Sequence, residues 1–152
     1  MGEADFRRAI LASNQDPIPR DIVLQVCLAE QGVKAVLQRL YREVEILAPL
    51  LARDRAVVRL VFEGDGLARL DASERADLLR SLAQHFSLVP NALAPDAGDF
   101  EGCDMLGLGP GAASRFGDRM AQNTTDPVAY CRTLDQGRLP IVEVLTTSNQ
   151  RA

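Results

Sequence analysis

Apolar and polar residues alternate along this chain with two different periods, and the longer period predicts one long helix. Between about residues 31 and 51, apolar side chains recur at steps of three and four, the spacing of one face of an α-helix. The repeat consists of Val33, Val36, Leu37, Leu40, Val44, Leu47 and Leu51. Charged residues fall largely between these positions, so we assign them to the solvated face of the helix. They are Arg39, Arg42, Glu43 and Glu45.

Two short runs of β-branched residues flank this helix and predict buried strands. They are residues 21–28 (DIVLQVCL) and residues 56–62 (AVVRLVF). A strand, a helix and a second strand in this order form a βαβ unit. We therefore expect the two strands to be adjacent and parallel, with the helix making a right-handed crossover between them.

Three shorter helices are predicted around the βαβ unit. Residues 3–12 form the first of them. The second begins after Asp71, because Glu74 follows at the spacing of a capping box. The third begins after Asp126, with Pro127 at its first helical position.

The remaining segments show little periodicity. Residues 88–102 predict a loop, because proline and glycine interrupt them. Residues 103–108 predict a third, short strand, and residues 115–124 predict a loop or an edge strand. The polar tail from residue 146 onward is expected to be frayed.

Length, composition and charge narrow the class of protein. With 152 residues, 47% of them apolar and 25% charged, the composition is ordinary for a globular protein. The chain is shorter than the roughly 250 residues of a complete α/β barrel. The net charge of −4 argues against a nucleic-acid partner. The sequence shows no membrane-length apolar run and no signal peptide, so we expect a cytoplasmic protein without membrane contact.

Cysteine and histidine usage argues against a metal site. Cys27, Cys103 and Cys131 are far apart, and none belongs to a C-x-x-C pair. His85 is the only histidine, so a zinc site would lack both a second imidazole and paired thiolates. We interpret the cysteines as structural thiols, and we predict no metal ligands and no catalytic residues.

Residues 107–114 (GLGPGAAS), which we call the glycine loop, are the strongest local indication of a ligand. Gly107, Gly109 and Ala112 match the pattern G-x-G-x-x-G/A, whose N–H groups can approach a phosphate or carboxylate closely. A dinucleotide site also requires a long helix directly after the loop, and Pro110 interrupts any such helix. A structural turn and a remnant binding loop for another ligand both remain compatible with the pattern.

The turn EGDG, residues 63–66, follows the second predicted strand, where α/β proteins place their sites. Glu63 and Asp65 are therefore candidates for metal ligands or for an acid/base pair. Two carboxylates in a turn are more often solvated, and we favour that interpretation.

Three stretches together resemble the oxygen-independent coproporphyrinogen III oxidases, the radical-SAM enzymes of haem synthesis. Residues 103–140 are similar to the family's strand, glycine-rich loop, aromatic-Gly-Asp segment and following helix. Residues 37–87 resemble the helix, strand, loop and helix that follow the family's cluster-binding segment. Residues 2–26 resemble the approach to its first barrel strand. The resemblance covers most of this chain, but the middle of the family's barrel is missing between about residues 93 and 100.

This sequence departs from the family where the chemistry takes place. The family's first strand ends in Tyr-x-His-x-Pro-Phe-Cys and continues into C-x-x-x-C-x-x-C, whose three thiolates hold a four-iron four-sulfur cluster. Here Gln25 stands at the tyrosine, Cys27 stands at the histidine, and the next cysteine is Cys103. Residues 63–67 (EGDGL) replace the GGGTP loop, and their carboxylates would repel the carboxylate of S-adenosylmethionine. We therefore predict that the cluster is absent.

The glycine loop is the part that keeps the family pattern. In the family this loop contributes to the S-adenosylmethionine site. The resemblance therefore carries over Gly107, Gly109, Gly111, Ala112 and Ala113 as cofactor-binding residues. Because the cluster is predicted to be absent, we expect S-adenosylmethionine binding at this loop to be weak or lost.

These observations predict an α/β fold, a partial radical-SAM-type (βα) barrel fragment that contains a parallel βαβ unit. Residues 1–93 would form an N-terminal barrel segment, residues 94–102 a junction, and residues 103–152 the glycine loop and last helix. The implied function is that of a catalytically inactive relative of the coproporphyrinogen oxidases. The alternatives are a non-catalytic partner of a haem-synthesis enzyme and a ligand-binding or nucleotide-binding module built on the glycine loop.

Missing barrel strands also predict exposed sheet edges. The strands at residues 21–28, 56–62 and 103–108 would end in open edges, so we expect self-association or pairing with a full-length haem-synthesis enzyme. An exposed apolar face would favour the partner role. A tight pocket over the glycine loop would instead favour ligand binding.

Overall fold

The computed structural model describes residues 2–17, 20–92 and 102–146 of the chain, which hold four α-helices and a seven-stranded sheet. The helices are α1 (Glu3–Asn14), α2 (Val33–Leu47), α3 (Ala72–His85) and α4 (Pro127–Asp135). The strands are β1 (Ile22–Cys27), β2 (Ala56–Glu63), β3 (Ser87–Leu88), β4 (Asp104–Leu108), β5 (Ala113–Phe116), β6 (Arg119–Asn123) and β7 (Ile141–Thr146). None of the described helices is long and apolar enough to cross a membrane.

The sheet is mixed, with the strand order β3-β2-β1-β4-β5-β6-β7. Strands β3, β2, β1 and β4 run parallel to one another. Strands β5, β6 and β7 extend this sheet as antiparallel neighbours. β1 and β2 are adjacent and parallel, and α2 connects them, so the predicted βαβ unit is confirmed.

The predicted helix starts are confirmed by their caps. The Asp71 side chain accepts a hydrogen bond from the Glu74 N–H at 2.7 Å, and the Glu74 carboxylate accepts one from the Asp71 N–H at 2.9 Å. This reciprocal pair is the capping box of α3. Helix α4 begins at Pro127, and the Asp126 carboxylate caps it by accepting from the Val128 N–H at 3.0 Å.

The core lies between the helices and one face of the sheet. Along β1, Ile22, Leu24 and Val26 belong to the buried core cluster, Val23 is buried as well, and Gln25 and Cys27 are half-buried. Leu24 pairs in register with Leu60 of β2 and Leu106 of β4, so an apolar row crosses the parallel strands. Burying each such side chain contributes roughly 1.5–3 kcal/mol.

Residues 115–124 do not form the predicted loop or edge strand; most of them belong to two interior strands. β5 and β6 form an antiparallel hairpin whose turn contains Gly117 at φ +63°. Ser114 and Phe116 are buried on β5, and Ala121 is buried opposite Ser114. These strands have only four and five residues, and so short a period-two pattern is hard to distinguish from a loop.

Two further strands lie where the sequence pattern predicts none. β3 contains Ser87 and Leu88 and pairs with two residues of β2, so Leu88, the first residue of the predicted loop, belongs to a strand. β7 follows the last helix and pairs with β6. β3 is too short to show any period. The apolar residues of β7 (IVEVLT) do not alternate with polar ones as they do in a half-buried strand, and two of them, Val142 and Leu145, are exposed.

The prediction that β1 and β4 end in open edges is wrong, because these two strands pair with each other. Their register runs from Ile22 with Asp104 to Val26 with Leu108. β4 thus satisfies the side of β1 that faces away from β2. The predicted gap at residues 93–100, almost all of the predicted junction and the tail after residue 146 lie outside the described residues. The division into an N-terminal and a C-terminal segment stays a prediction.

A buried ion pair links residues at the amino ends of the parallel strands. Arg55 Nη2 donates to Asp104 Oδ2 at 2.8 Å, and the two side chains are only 1% and 2% exposed. Arg55 also donates to Ser13 Oγ at 2.6 Å and to the Arg20 carbonyl oxygen at 2.8 Å. Asp104 Oδ1 accepts from the Gly117 N–H at 3.1 Å. The network therefore connects α1, β4, the β5–β6 turn and the segments that precede β1 and β2.

Replacing Arg55 with alanine should strongly destabilise the protein. Arg55→Ala leaves the Asp104 carboxylate buried without its cation, which costs about 3–5 kcal/mol of unfolding free energy. Urea denaturation measures this change. The matched control is Arg80→Ala, which breaks an exposed ion pair with Asp77 and should cost less than about 1 kcal/mol. Similar losses in the two variants would contradict the structural role of Arg55.

Candidate functional site

The glycine loop connects β4 to β5 and lies against the carboxyl end of β1. A Cβ atom on Gly109 would lie 2.1 Å from the Cys27 carbonyl oxygen. The turn after β2 packs equally closely, since a Cβ on Gly64 would lie 2.3 Å from the Leu28 carbonyl oxygen. The Gly66 N–H donates to that same oxygen at 2.7 Å. Main chain therefore fills much of the sheet end at which open α/β sheets usually bind ligands.

All five predicted cofactor-binding residues lie together in this one connection. The residues that are buried are Gly107, Gly109 and Ala112, and those that are half-buried are Gly111 and Ala113. Cavities in the described part of the chain lie against other residues, including those of about 580 and 770 Å³ beside Lys34 and Phe86. One of about 410 Å³ lies between α2 and α4, against Val36, Val128 and Cys131.

The N–H groups of the glycine loop are largely engaged inside the protein. Four of them donate to protein oxygens at 2.7–3.2 Å. The Gly107 N–H donates to Ser114 Oγ, and the Gly109 N–H donates to Glu43 Oε1. The Gly111 N–H donates to the Thr124 carbonyl, and the Ala112 N–H donates to the Gly109 carbonyl. An anion cradle needs N–H groups that point toward the ligand, so these four groups do not provide one. Binding of S-adenosylmethionine by the loop stays a prediction.

A buried carboxylate, that of Glu43, holds the loop to the helix layer. Glu43 lies on α2 and is only 1% exposed. Its Oε1 accepts from the Gly109 N–H at 2.9 Å and from the Tyr130 hydroxyl at 2.7 Å. Its Oε2 accepts from Asn123 Nδ2 at 2.9 Å, and the same amide nitrogen donates to the Gly109 carbonyl at 2.9 Å. One side chain thereby connects α2, the glycine loop, β6 and α4.

The groups that donate hydrogen bonds to Glu43 are uncharged, so none of them places a cation beside its buried carboxylate. Burial raises the pKa of Glu43 to about 7, although the bonds from Tyr130, Gly109 and Asn123 act in the opposite direction. The pKa of Tyr130 lies well above its ordinary value, first because of burial and then because of the neighbouring carboxylate. The Tyr130 hydroxyl therefore stays protonated and continues to donate to Glu43.

The assignment of Glu43 to the solvated face of α2 is wrong. Val36, Leu40, Glu43 and Leu47 are separated by steps of four, three and four residues, so Glu43 lies on the apolar stripe itself. This spacing is the signal that could have revealed it. The partners of Glu43 lie 66 to 87 residues further along the chain, and no sequence pattern indicates them.

The carboxylates of the EGDG turn, Glu63 and Asp65, lie at the end of β2 and just after it. Glu63 and Asp65 are exposed, in agreement with the solvated interpretation. Burial, followed by the charges of Glu63 and Glu43, raises the pKa of Cys27 to about 11, so its thiol is protonated at neutral pH. The exposed His85 places Nδ1 2.9 Å from a helix carbonyl oxygen. The described residues contain no group of three potential metal ligands.

Comparison with known proteins identifies the fold. No protein-family model matches the sequence, and no curated protein is significantly similar to it. The structure matches coproporphyrinogen III oxidase (HemN) from Escherichia coli, a radical SAM enzyme, with a TM-score of 0.78. The match has 13% sequence identity and covers 96% of this chain and 75% of the other. The chain has the fold of a radical SAM enzyme. The predicted fold class is therefore confirmed.

The cysteines of this radical SAM-like fold do not fit the family's iron–sulfur cluster. Cys27 ends β1, whereas Cys103 precedes β4 at the opposite end of the same sheet. Because Asp104 pairs with Ile22, the two thiols are about six residues apart along the strand direction, or roughly 20 Å. Cys131 lies on α4. Thiolates that share one cluster must surround a group only a few ångströms across.

Alanine substitutions in the glycine loop should distinguish a steric clash with neighbouring main chain from the energetic cost of a left-handed backbone conformation. Gly109→Ala places a Cβ against the Cys27 carbonyl at φ +99°, so we expect a loss of about 3 kcal/mol or more. At Gly111 (φ +77°) the nearest atom to a new Cβ would be 3.5 Å away, so Gly111→Ala should cost only the left-handed preference, about 1–2 kcal/mol. Urea denaturation compares the two, and equal losses would refute the close contact.

Glu43 should make the stability depend on pH. Its pKa rises from 4.5 in the unfolded chain to about 7 in the fold, so the folded state binds the proton more tightly. The unfolding free energy should therefore fall by on the order of 3 kcal/mol as the pH rises from about 4.5 to 7. Glu43→Gln should remove this component from the measured profile. The control is Glu45→Gln, at an exposed glutamate on the same helix, and it should retain the component; parallel profiles for wild type and E43Q would contradict the assignment.

Proposed function

We propose that this chain is a non-catalytic protein with a coproporphyrinogen-oxidase-like fold. It holds no iron–sulfur cluster and does not carry out the oxidative decarboxylation of coproporphyrinogen III. The observation that carries this proposal is the separation of Cys27 and Cys103 at opposite ends of adjacent parallel strands. A cluster that reduces S-adenosylmethionine needs several converging thiolates, and this chain cannot supply them without refolding its sheet.

The glycine loop supports the same conclusion. In a binding loop the backbone N–H groups point toward the ligand, whereas here four of them bond within the protein. The Gly109 N–H donates to the Glu43 carboxylate, which takes the place that an anionic ligand would have at this donor. We infer that this loop serves the fold by joining helix and sheet.

A second candidate function is that of a partner protein in haem synthesis, working through association. The observation that favours it is a set of large apolar side chains that remain exposed in the described residues. They are Leu11, Val128, Val142 and Leu145. Two of them, Val142 and Leu145, lie on one strand, β7, and a contiguous exposed apolar surface is typical of sites of association.

Anaerobic reconstitution with iron and sulfide tests the principal proposal. The purified chain should be colourless after desalting and should not cleave S-adenosylmethionine in the presence of a reductant. Coproporphyrinogen III oxidase from Escherichia coli, treated in parallel, is the positive control. Stoichiometric iron with broad visible absorbance, or turnover of S-adenosylmethionine, would refute a non-catalytic role.

A further inference from the structure

The groove of about 410 Å³ between α2 and α4 is a cavity that the glycine loop does not line. Residues 32, 35, 36 and 39 form its α2 side, and residues 127, 128, 131, 132 and 135 form its α4 side. These spacings are those of one face of each helix. The groove therefore follows both helices for about two turns, or roughly 11 Å.

The groove has an apolar lining that remains open to solvent. Val36 is buried beside it, and the small residues Gly32 and Ala35 leave space above α2. On the α4 side, Val128 is 62% exposed and Cys131 is half-buried. Burial raises the pKa of Cys131, so its thiol stays protonated and adds to the apolar surface. A ligand that covers this surface gains the free energy of removing it from water.

The charged groups of the groove leave an excess of positive charge. Arg39 donates to both carboxylate oxygens of Asp135, at 3.0 and 3.2 Å. The pKa of Asp135 is lowered, first by this bond and to a smaller extent by the charge of Arg42. Arg132 also lines the groove, is exposed, and forms no ion pair with a described residue. An anionic group is therefore the electrostatic complement of this site.

The size of the groove favours a small molecule over a protein partner. Nine residues line it. A stable protein interface takes about 20–30 residues on each side, whereas small-molecule sites have volumes of roughly 300–1,000 Å³, with apolar linings and a few polar groups. The volume and the lining of this groove match the second class.

We propose that this groove binds a small amphiphilic anion, a medium-chain fatty carboxylate, whose chain lies along Val36, Val128 and Cys131 and whose carboxylate pairs with Arg132. The length of the groove is comparable to that of such a chain in its extended form. A guanidinium and a carboxylate form charge-assisted hydrogen bonds, which fix the direction of the ligand. The site does not depend on the non-catalytic role, because neither the glycine loop nor the end of β1 contributes to it.

An NMR titration of the full chain with decanoate, below the concentration at which micelles form, tests the proposal. Backbone amide signals of residues 32–39 and 127–135 should shift and reach saturation. Decyltrimethylammonium, which has a chain of the same length and a cationic head, should bind about threefold to tenfold more weakly because Arg132 repels it.

Val128→Asp should weaken decanoate binding about tenfold or more, because it removes apolar contact and places a carboxylate beside the ligand. Val128 lies in the first turn of α4, where a negative charge is favourable, so this variant should fold. Val142→Asp is the matched control, since Val142 is 63% exposed on β7, outside the groove, and it should bind as wild type does. Arg132→Gln retains the apolar contacts and should abolish the preference for decanoate over the cation.

Several results would overturn the proposal. They are the absence of saturable shifts, shifts confined to residues outside the groove, equal binding of decanoate and decyltrimethylammonium by wild type, and equal affinities of V128D and V142D. The amide spectrum of each variant shows whether it is folded, and R132Q tests the anion preference independently of V128D. None of these outcomes bears on cluster formation, which the reconstitution experiment tests separately.

Discussion

The direct pairing of β4 with β1 is the constraint on which this structure depends. It places Leu106 beside Leu24 and extends the apolar row that the helices cover. It also brings the glycine loop onto the end of β1, where Gly109 packs against the Cys27 carbonyl. At the other end the same pairing brings Asp104 within reach of Arg55. The described strands thus form one continuous sheet, because β4 occupies the side of β1 that would otherwise be open.

Glu43 shows how a polar group can be buried at this junction without a cation. Its carboxylate accepts three hydrogen bonds from neutral donors, and burial still raises its pKa to about 7. Such a group costs stability when ionised, and replacing it by an apolar residue would leave the Gly109 N–H and the Tyr130 hydroxyl without an acceptor. The network therefore specifies how α2, the glycine loop, β6 and α4 fit together. The glycine loop, whose sequence pattern indicates a ligand, has a structural role in this network.

The comparison with coproporphyrinogen III oxidase bears on the fold of this protein and not on its chemistry. The likeness to coproporphyrinogen III oxidase concerns the arrangement of helices and strands, at 13% identity. Function depends on particular side chains placed on a fold, and here Cys27 lies on β1, Cys103 precedes β4 and Cys131 lies on α4. The carboxyl end of β1 is packed with main chain from two glycine turns. Four large apolar side chains remain exposed in the described residues, and two of them, Val142 and Leu145, lie on β7.

The sequence by itself determined the elements whose signals are local. The stripe of α2, the capping box at Asp71, the proline start of α4 and the β-branched runs of β1 and β2 each predict their element, because periodicity and capping act over a few residues. The family motifs in the sequence also indicated the fold class. Only the tertiary structure decided that β4 pairs with β1, that β5 and β6 are interior strands, and which groups bind the Glu43 carboxylate. These outcomes depend on contacts between residues far apart in the chain, such as Tyr130 with Glu43 and Asp104 with Arg55, and no local pattern encodes such contacts.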